Sequence, residues 1–148
     1  LELFGAPDID ARAVIGEMRR IAPDWLAGCT LRDIWFQPTF HKHVGQLCSG
    51  VFIHAEGAGY DHAAFRPWRV QAAAFKAIRA LYPDYPLWRG TDFKYEYTAD
   101  VLAIDVINGS PLLREWVDTA GADPDALDAL ALPDEAAWID TRARHLLY

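Results

Sequence analysis

Residues 36–54, FQPTFHKHVGQLCSGVFIH, constrain this chain most, because they impose a strand, a broken loop and a second strand in quick succession. An extended run ends at Phe36, and Pro38 stops it because proline has no N–H to give to a ladder. Gly45 and Gly50 admit backbone angles that other residues avoid, and Val51-Phe52-Ile53 resumes an extended apolar run. A lysine, three histidines and a cysteine fall inside these nineteen residues. Polar side chains therefore gather on a loop that two strands can aim.

The rest of the chain reads as α+β, a small mixed or antiparallel sheet packed with several helices and followed by a helical C-terminal third. Residues 1–5, 30–36 and 50–55 have strand character. Asp10 is a cap residue for a helix whose Val14, Ile15 and Met18 recur at helical spacing to about Ile21. Pro67 opens a longer helix with Val70, Ala73, Ala74, Ala77, Ile78 and Leu81 on one stripe, and Pro83 stands just past its end. Residues 83–93 are turn-rich, with three aromatics and no period. Further helices are predicted over 99–107, after Ser110 as cap with Pro111 in first position, after Asp123 with Pro124, and over 133–147. No repeat, linker or low-complexity tract divides the chain, so residues 1–148 are expected to be a single domain.

A chain of 148 residues buries roughly 70% of its extended surface on folding, enough for a core of its own. Its 52% hydrophobic and 13% aromatic content excludes disorder. No apolar run approaches the ~20 residues of a membrane span. A formal charge of −7 without a basic helix excludes nucleic acid as a partner. Charge is uneven, however. Residues 92–140 hold twelve acids against Lys94 and Arg114, as expected of a solvated helical face, whereas 37–89 hold six Lys or Arg against three acids. That basic middle suits a small anion. Two cysteines, Cys29 and Cys48, make no disulfide framework, and a bridge between them is not favoured.

His41, His43, Cys48 and His54 can be drawn as a zinc set, but H-x-H-x4-C-x5-H matches no standard structural zinc pattern, so no metal or other cofactor is expected. Nothing at Cys48 lowers a thiol pKa, which makes it a small buried thiol. Lys42 differs, because an ammonium on a glycine-bounded loop can meet an anionic ligand group; the alternative is a solvated lysine. His54, ending an apolar strand, is either a satisfied structural histidine or a partner for sugar hydroxyls. Tyr95-Glu96-Tyr97 sets aromatic faces beside a carboxylate, a composition that suits sugars and equally a core or interface. Glu96 and Asp105 are not assigned as a catalytic pair, and Asp105 is expected to tether the turn at Asn108-Gly109.

In order along the chain, F-x-P-T-F-x-K-x-x-G-x-x-C-x-G-V-x-I-H at 36–54, LELFGAPDID at 1–10, Phe65-Arg66-Pro67, Tyr95-Glu96-Tyr97, Ile104-Asp105 with Asn108-Gly109, and Leu146-Leu147-Tyr148 resemble the C-terminal domain of the DUF1343 family, the exo-β-N-acetylmuramidases of the NamZ type. The resemblance covers essentially all 148 residues. It implies a domain of a peptidoglycan-degrading glycosidase whose catalytic carboxylates lie in an N-terminal partner domain of the same chain. Leu1 opens a strand already inside a fold, and more chain is expected before it. The resemblance implies that this domain forms one wall of a sugar cleft, with Thr39, Lys42, His54, Arg66, Tyr95, Glu96 and Tyr97 as substrate-binding residues. Lys42 and Arg66 become the natural partners of the lactyl carboxylate of N-acetylmuramic acid, Arg66 as a bidentate clamp and Lys42 as a point charge. A periplasmic or secreted location follows from the same resemblance. A non-catalytic carbohydrate-binding module and a purely structural partner domain are the alternatives.

Overall fold

Strands β1 (Leu3–Ala6), β2 (Thr30–Phe36) and β3 (Cys48–His54) form one antiparallel sheet in the order β1-β3-β2. The computed structural model describes residues 2–91, 95, 98 and 100–147. They fall into two compact units, Leu1–Leu87 and Trp88–Tyr148. β3 is central, pairing Phe4 with Val51 on one side and Asp33 with Val51 on the other. It starts at Cys48, two residues before the expected strand, because the register continues to Phe36 opposite Cys48.

Helix α1 (Ala11–Ile21) packs on the sheet, and α2 (Pro67–Leu81) packs on α1. Val14 and Met18 of α1, Val51 of β3 and Val70 of α2 are fully buried, and burying such a side chain contributes roughly 1.5–3 kcal/mol. Ala72, Ala73, Ala74 and Ala77 are also buried, so small side chains line the core side of α2. The start of α1 is fastened twice. The Asp10 carboxylate accepts the N–H groups of Arg12 at 2.8 Å and Ala13 at 3.3 Å, meeting donors that a helix start leaves unpaired. The buried hydroxyl of Ser49 accepts the N–H of Ala11 at 2.9 Å, which joins the helix to the central strand. Single 3₁₀ turns at Pro23–Leu26 and Gly57–Gly59 have no counterpart in the expected elements.

In the second unit, α3 (Ala103–Asn108), α4 (Leu112–Asp118) and α5 (Pro124–Ala143) follow in order. Among the described residues Leu113, Trp116, Val117 and Leu127 are its buried hydrophobic side chains. The Trp116 indole donates to the carbonyl of Asp123 at 2.7 Å, and the Asp123 carboxylate caps α5 at Ala126 N–H, 2.9 Å. Four expectations are corrected here. The helix predicted from residue 99 begins at Ala103, because Leu102 is extended with ψ 141°. Ser110 does not cap α4; its hydroxyl is held by the Asn108 side chain at 3.3 Å, and α4 starts at Leu112. No new helix starts at Pro133, because α5 continues through it. Pro133 and its surroundings are exposed, so the carbonyl freed one turn earlier meets water. Asp105 does not tether the turn at Gly109 either. Its carboxylate is taken by Arg114 on α4, and the turn is closed by Asn108 Nδ2 on the carbonyl of Ser110 at 3.1 Å.

Candidate functional site

The β2–β3 connection is tied by its own hydrogen bonds. Gly45 N–H donates to Pro38 O at 2.9 Å, Gln46 N–H to His43 O at 3.0 Å, and the Gln37 side-chain amide to Gly45 O at 2.6 Å. His41 and His43 both adopt the left-handed region, with φ 58° and 59°, a conformation costing an L-residue about 1–2 kcal/mol. The backbone therefore turns sharply on both sides of Lys42, and the closing hydrogen bonds hold it there. Among the described residues Lys42 has no hydrogen-bond or ion-pair partner.

Lys42, His43 and Pro38 line a cavity of about 370 Å³ within the first unit, inside the 300–1,000 Å³ span usual for small-molecule sites. Leu3, Phe4, Gly5 and Ala6 of β1 form one side, and Gln71, Phe75 and Ile78 of α2 and the 85–87 turn form others. The Phe36 ring, also on the wall, lies across two glycines that face each other in the sheet. A methyl group on Gly5 would stand 2.8 Å from Phe36 Cε1, and one on Gly50 2.6 Å from it. Burial, then the nearby Asp8 and Cys48, push the Tyr85 phenol above its ordinary pKa. Tyr85 therefore stays a neutral hydrogen-bond donor on the wall. One cation, an imidazole, a phenol, a primary amide and apolar rings together suit a small ligand with an anionic group and an apolar face.

The structure separates the residues expected from the sequence. Lys42 lies on the cavity wall, and Thr39 is exposed on the same loop. His54 stands at the far end of β3 opposite Thr30, its ring centroid 4.5 Å from that of Phe52 and its Nδ1 3.8 Å from Glu56 Oε1. Arg66 precedes α2 and donates to Ala63 O at 2.7 Å and Phe65 O at 3.2 Å. Neither lines the cavity. Tyr95 belongs to the second unit, half-buried, its carbonyl accepting Thr98 N–H at 3.1 Å and Thr98 Oγ1 at 3.3 Å. Glu96 and Tyr97 lie outside the described residues.

Phe36, Gln71, Phe75, Ile78 and Tyr85 were not anticipated as site residues. The i, i+4, i+7 spacing of Gln71, Phe75 and Ile78 marks one helix face, a signal open to sequence inspection; Tyr85 sits in a turn-rich stretch and gives none. Among the described residues no three His, Cys, Asp or Glu side chains are grouped to hold a metal. Cys29 and Cys48 are both free thiols, Cys48 buried, and burial pushes the Cys29 thiol up in pKa. Among the described residues no helix is long and apolar enough to cross a membrane.

The family model described as exo-beta-N-acetylmuramidase NamZ, C-terminal, matches residues 1–148. Peptidoglycan beta-N-acetylmuramidase NamZ of Bacillus subtilis (strain 168) is 26% identical over 147 residues, which are 99% of this chain and 31% of that protein. The chain thus spans about a third of the length of this curated relative. No solved structure matches.

Proposed function

This chain belongs to the family of NamZ C-terminal domains, and from that premise we propose that it serves a peptidoglycan-degrading exo-β-N-acetylmuramidase by forming one wall of its sugar-binding cleft. The catalytic carboxylates then come from an N-terminal domain of the same longer protein, working on cell-wall sugar in a periplasmic or secreted location. The placement of Lys42 carries this proposal. It is pinned between two left-handed histidines on the wall of a small-molecule cavity, in a chain that is otherwise strongly acidic. N-acetylmuramic acid differs from N-acetylglucosamine by a lactyl ether that ends in a carboxylate. A lysine ammonium recognises that group as a point charge, through charge-assisted hydrogen bonds. Thr39, on the same loop, is the further candidate beside Lys42, and His54 and Arg66, which do not line this cavity, are candidates only for sugar units beyond it.

Kinetic constants of the full-length protein on chromogenic muramides and glucosaminides test it. Lys42→Ala is expected to lower kcat/KM on the muramide by roughly ten- to a hundredfold, equivalent to about 1.5–3 kcal/mol, and to leave the glucosaminide nearly unchanged. An equal loss on both sugars, or no loss on either, removes Lys42 from the site.

A further inference from the structure

We propose that the free edge of β1 is a recognition element for the acetamido group of an N-acylated sugar acid whose carboxylate is held by Lys42. The sugar-acid identity rests on the proposed muramidase function; the edge itself rests on the sheet. β1 is an outer strand, paired among the described residues only with β3. A strand that shows a cavity one of its faces contributes alternate residues, since successive side chains point to opposite sides. Here all four residues, Leu3 to Ala6, line the cavity, so the cavity meets the backbone edge.

The ladder says which groups that edge offers. Ile53 N–H donates to Glu2 O at 2.7 Å, which makes Glu2 and Ile53 a hydrogen-bonded pair. Antiparallel pairs alternate, so Phe4 and Val51 form the next such pair, while Leu3 and Gly5 turn their N–H and C=O groups away from β3. Among the described residues neither has a hydrogen-bond partner on that outer side. Gly5 has no side chain, and the Phe36 ring lies over the sheet face that Gly5 shares with Gly50, on the wall of the same cavity.

A secondary amide can pair with such an edge as an added strand does, its N–H on a carbonyl and its C=O on an N–H. With only Leu3 and Gly5 facing outward, the edge of β1 accommodates one or two amides and no long peptide. An acetamido group presents one amide and one methyl, and the Phe36 ring offers the methyl an apolar surface. Lys42 on the same cavity wall supplies the charge complement for the carboxylate. The two demands together select an N-acylated sugar acid over a neutral N-acyl sugar and over a free amino sugar acid.

Titration of the ¹⁵N-labelled 148-residue chain tests this, with four probes: N-acetylmuramic acid, muramic acid, N-acetylglucosamine and N-acetyl-alanyl-alanine. The amide resonances of Leu3 and Gly5 should move with N-acetylmuramic acid, whereas muramic acid should move only the loop around Lys42. Leu3→Pro removes one outward N–H, a change tolerated on an edge strand; with the fold verified by circular dichroism, it should weaken N-acetylmuramic acid roughly two- to tenfold and leave muramic acid unchanged. If N-acetylmuramic acid moves the loop but not Leu3 or Gly5, the edge has no role while the proposed function stands. If it moves neither, the sugar assignment of the cavity fails as well. If the dipeptide moves Leu3 and Gly5 and the sugar does not, the edge reads peptides and the sugar-acid proposal is overturned.

Discussion

Arg114 grips Asp105 through two parallel contacts, Nε to Oδ1 at 2.9 Å and Nη2 to Oδ2 at 2.9 Å, tying α3 to α4. Their side chains keep only 23% and 10% of their exposure. The hydrogen bond to Asp105 raises the Arg114 pKa further against the effect of burial, so the guanidinium stays charged. Arg114→Ala leaves the carboxylate largely buried and alone, and should cost about 2–3 kcal/mol in urea unfolding followed by tryptophan fluorescence. Arg114→Lys should recover only part of that, because a lysine cannot reproduce the bidentate fork. Full recovery by lysine would show that charge alone matters here.

The Phe36 ring makes Gly50 a position where no side chain fits. A β-carbon there would meet Phe4 O at 2.5 Å and Phe36 Cε1 at 2.6 Å. Since one of these is backbone of the paired strand, Gly50→Ala should destabilise by about 1–3 kcal/mol or open the sheet at β1. A melting temperature equal to wild type would contradict the close approach.

His43 and His41 test the loop. His43→Gly removes the left-handed cost and should leave stability equal or up to about 1 kcal/mol higher, whereas His43→Val should lower it by about 1–2 kcal/mol. Equal stability of the glycine and valine variants would mean that φ at this position is not held positive in solution.

Two carboxylates are held below their usual pKa: Asp33 by the hydrogen bond from Arg12 and then its charge, and Glu17 chiefly by the hydrogen bond from Arg20. A carboxylate whose folded pKa is depressed adds stability above its unfolded value, about 3.9 for Asp and 4.3 for Glu. That contribution disappears as pH falls through the lower folded value. Urea midpoints should therefore decline below roughly pH 4.5, and the decline should be shallower in an Arg12→Ala, Arg20→Ala double variant. Identical slopes would assign the acid sensitivity to other groups. Both pairs are solvent-facing on the arginine side, so the effect should also shrink in high salt.

The 148-residue chain by itself should release no product from a chromogenic N-acetylmuramide above blank, since the proposed catalytic carboxylates are outside it. Turnover that Glu96→Gln abolishes would instead bring the chemistry into this domain.

The parts of this molecule that were legible beforehand are those decided within a few residues. Asp10 caps α1, Pro67 opens α2 and Asp123 caps α5, because a cap depends on one side chain and the N–H groups next to it. The strand character of residues 30–36, which form β2, was legible for the same reason, and the ordered motifs along the chain pointed to the family that the whole-length match shows. Tertiary structure decided the rest. The pairing of Gly5 with Gly50 beneath Phe36, the meeting of Asp105 with Arg114, and the union of Lys42, Gln71 and Tyr85 around one cavity each join residues whose neighbours in sequence carry no sign of the partner. Pro133 shows the same limit from the other side: its local preference is to end a helix, yet α5 runs through it. A local preference of a few kcal/mol holds only where packing of the whole chain does not outweigh it.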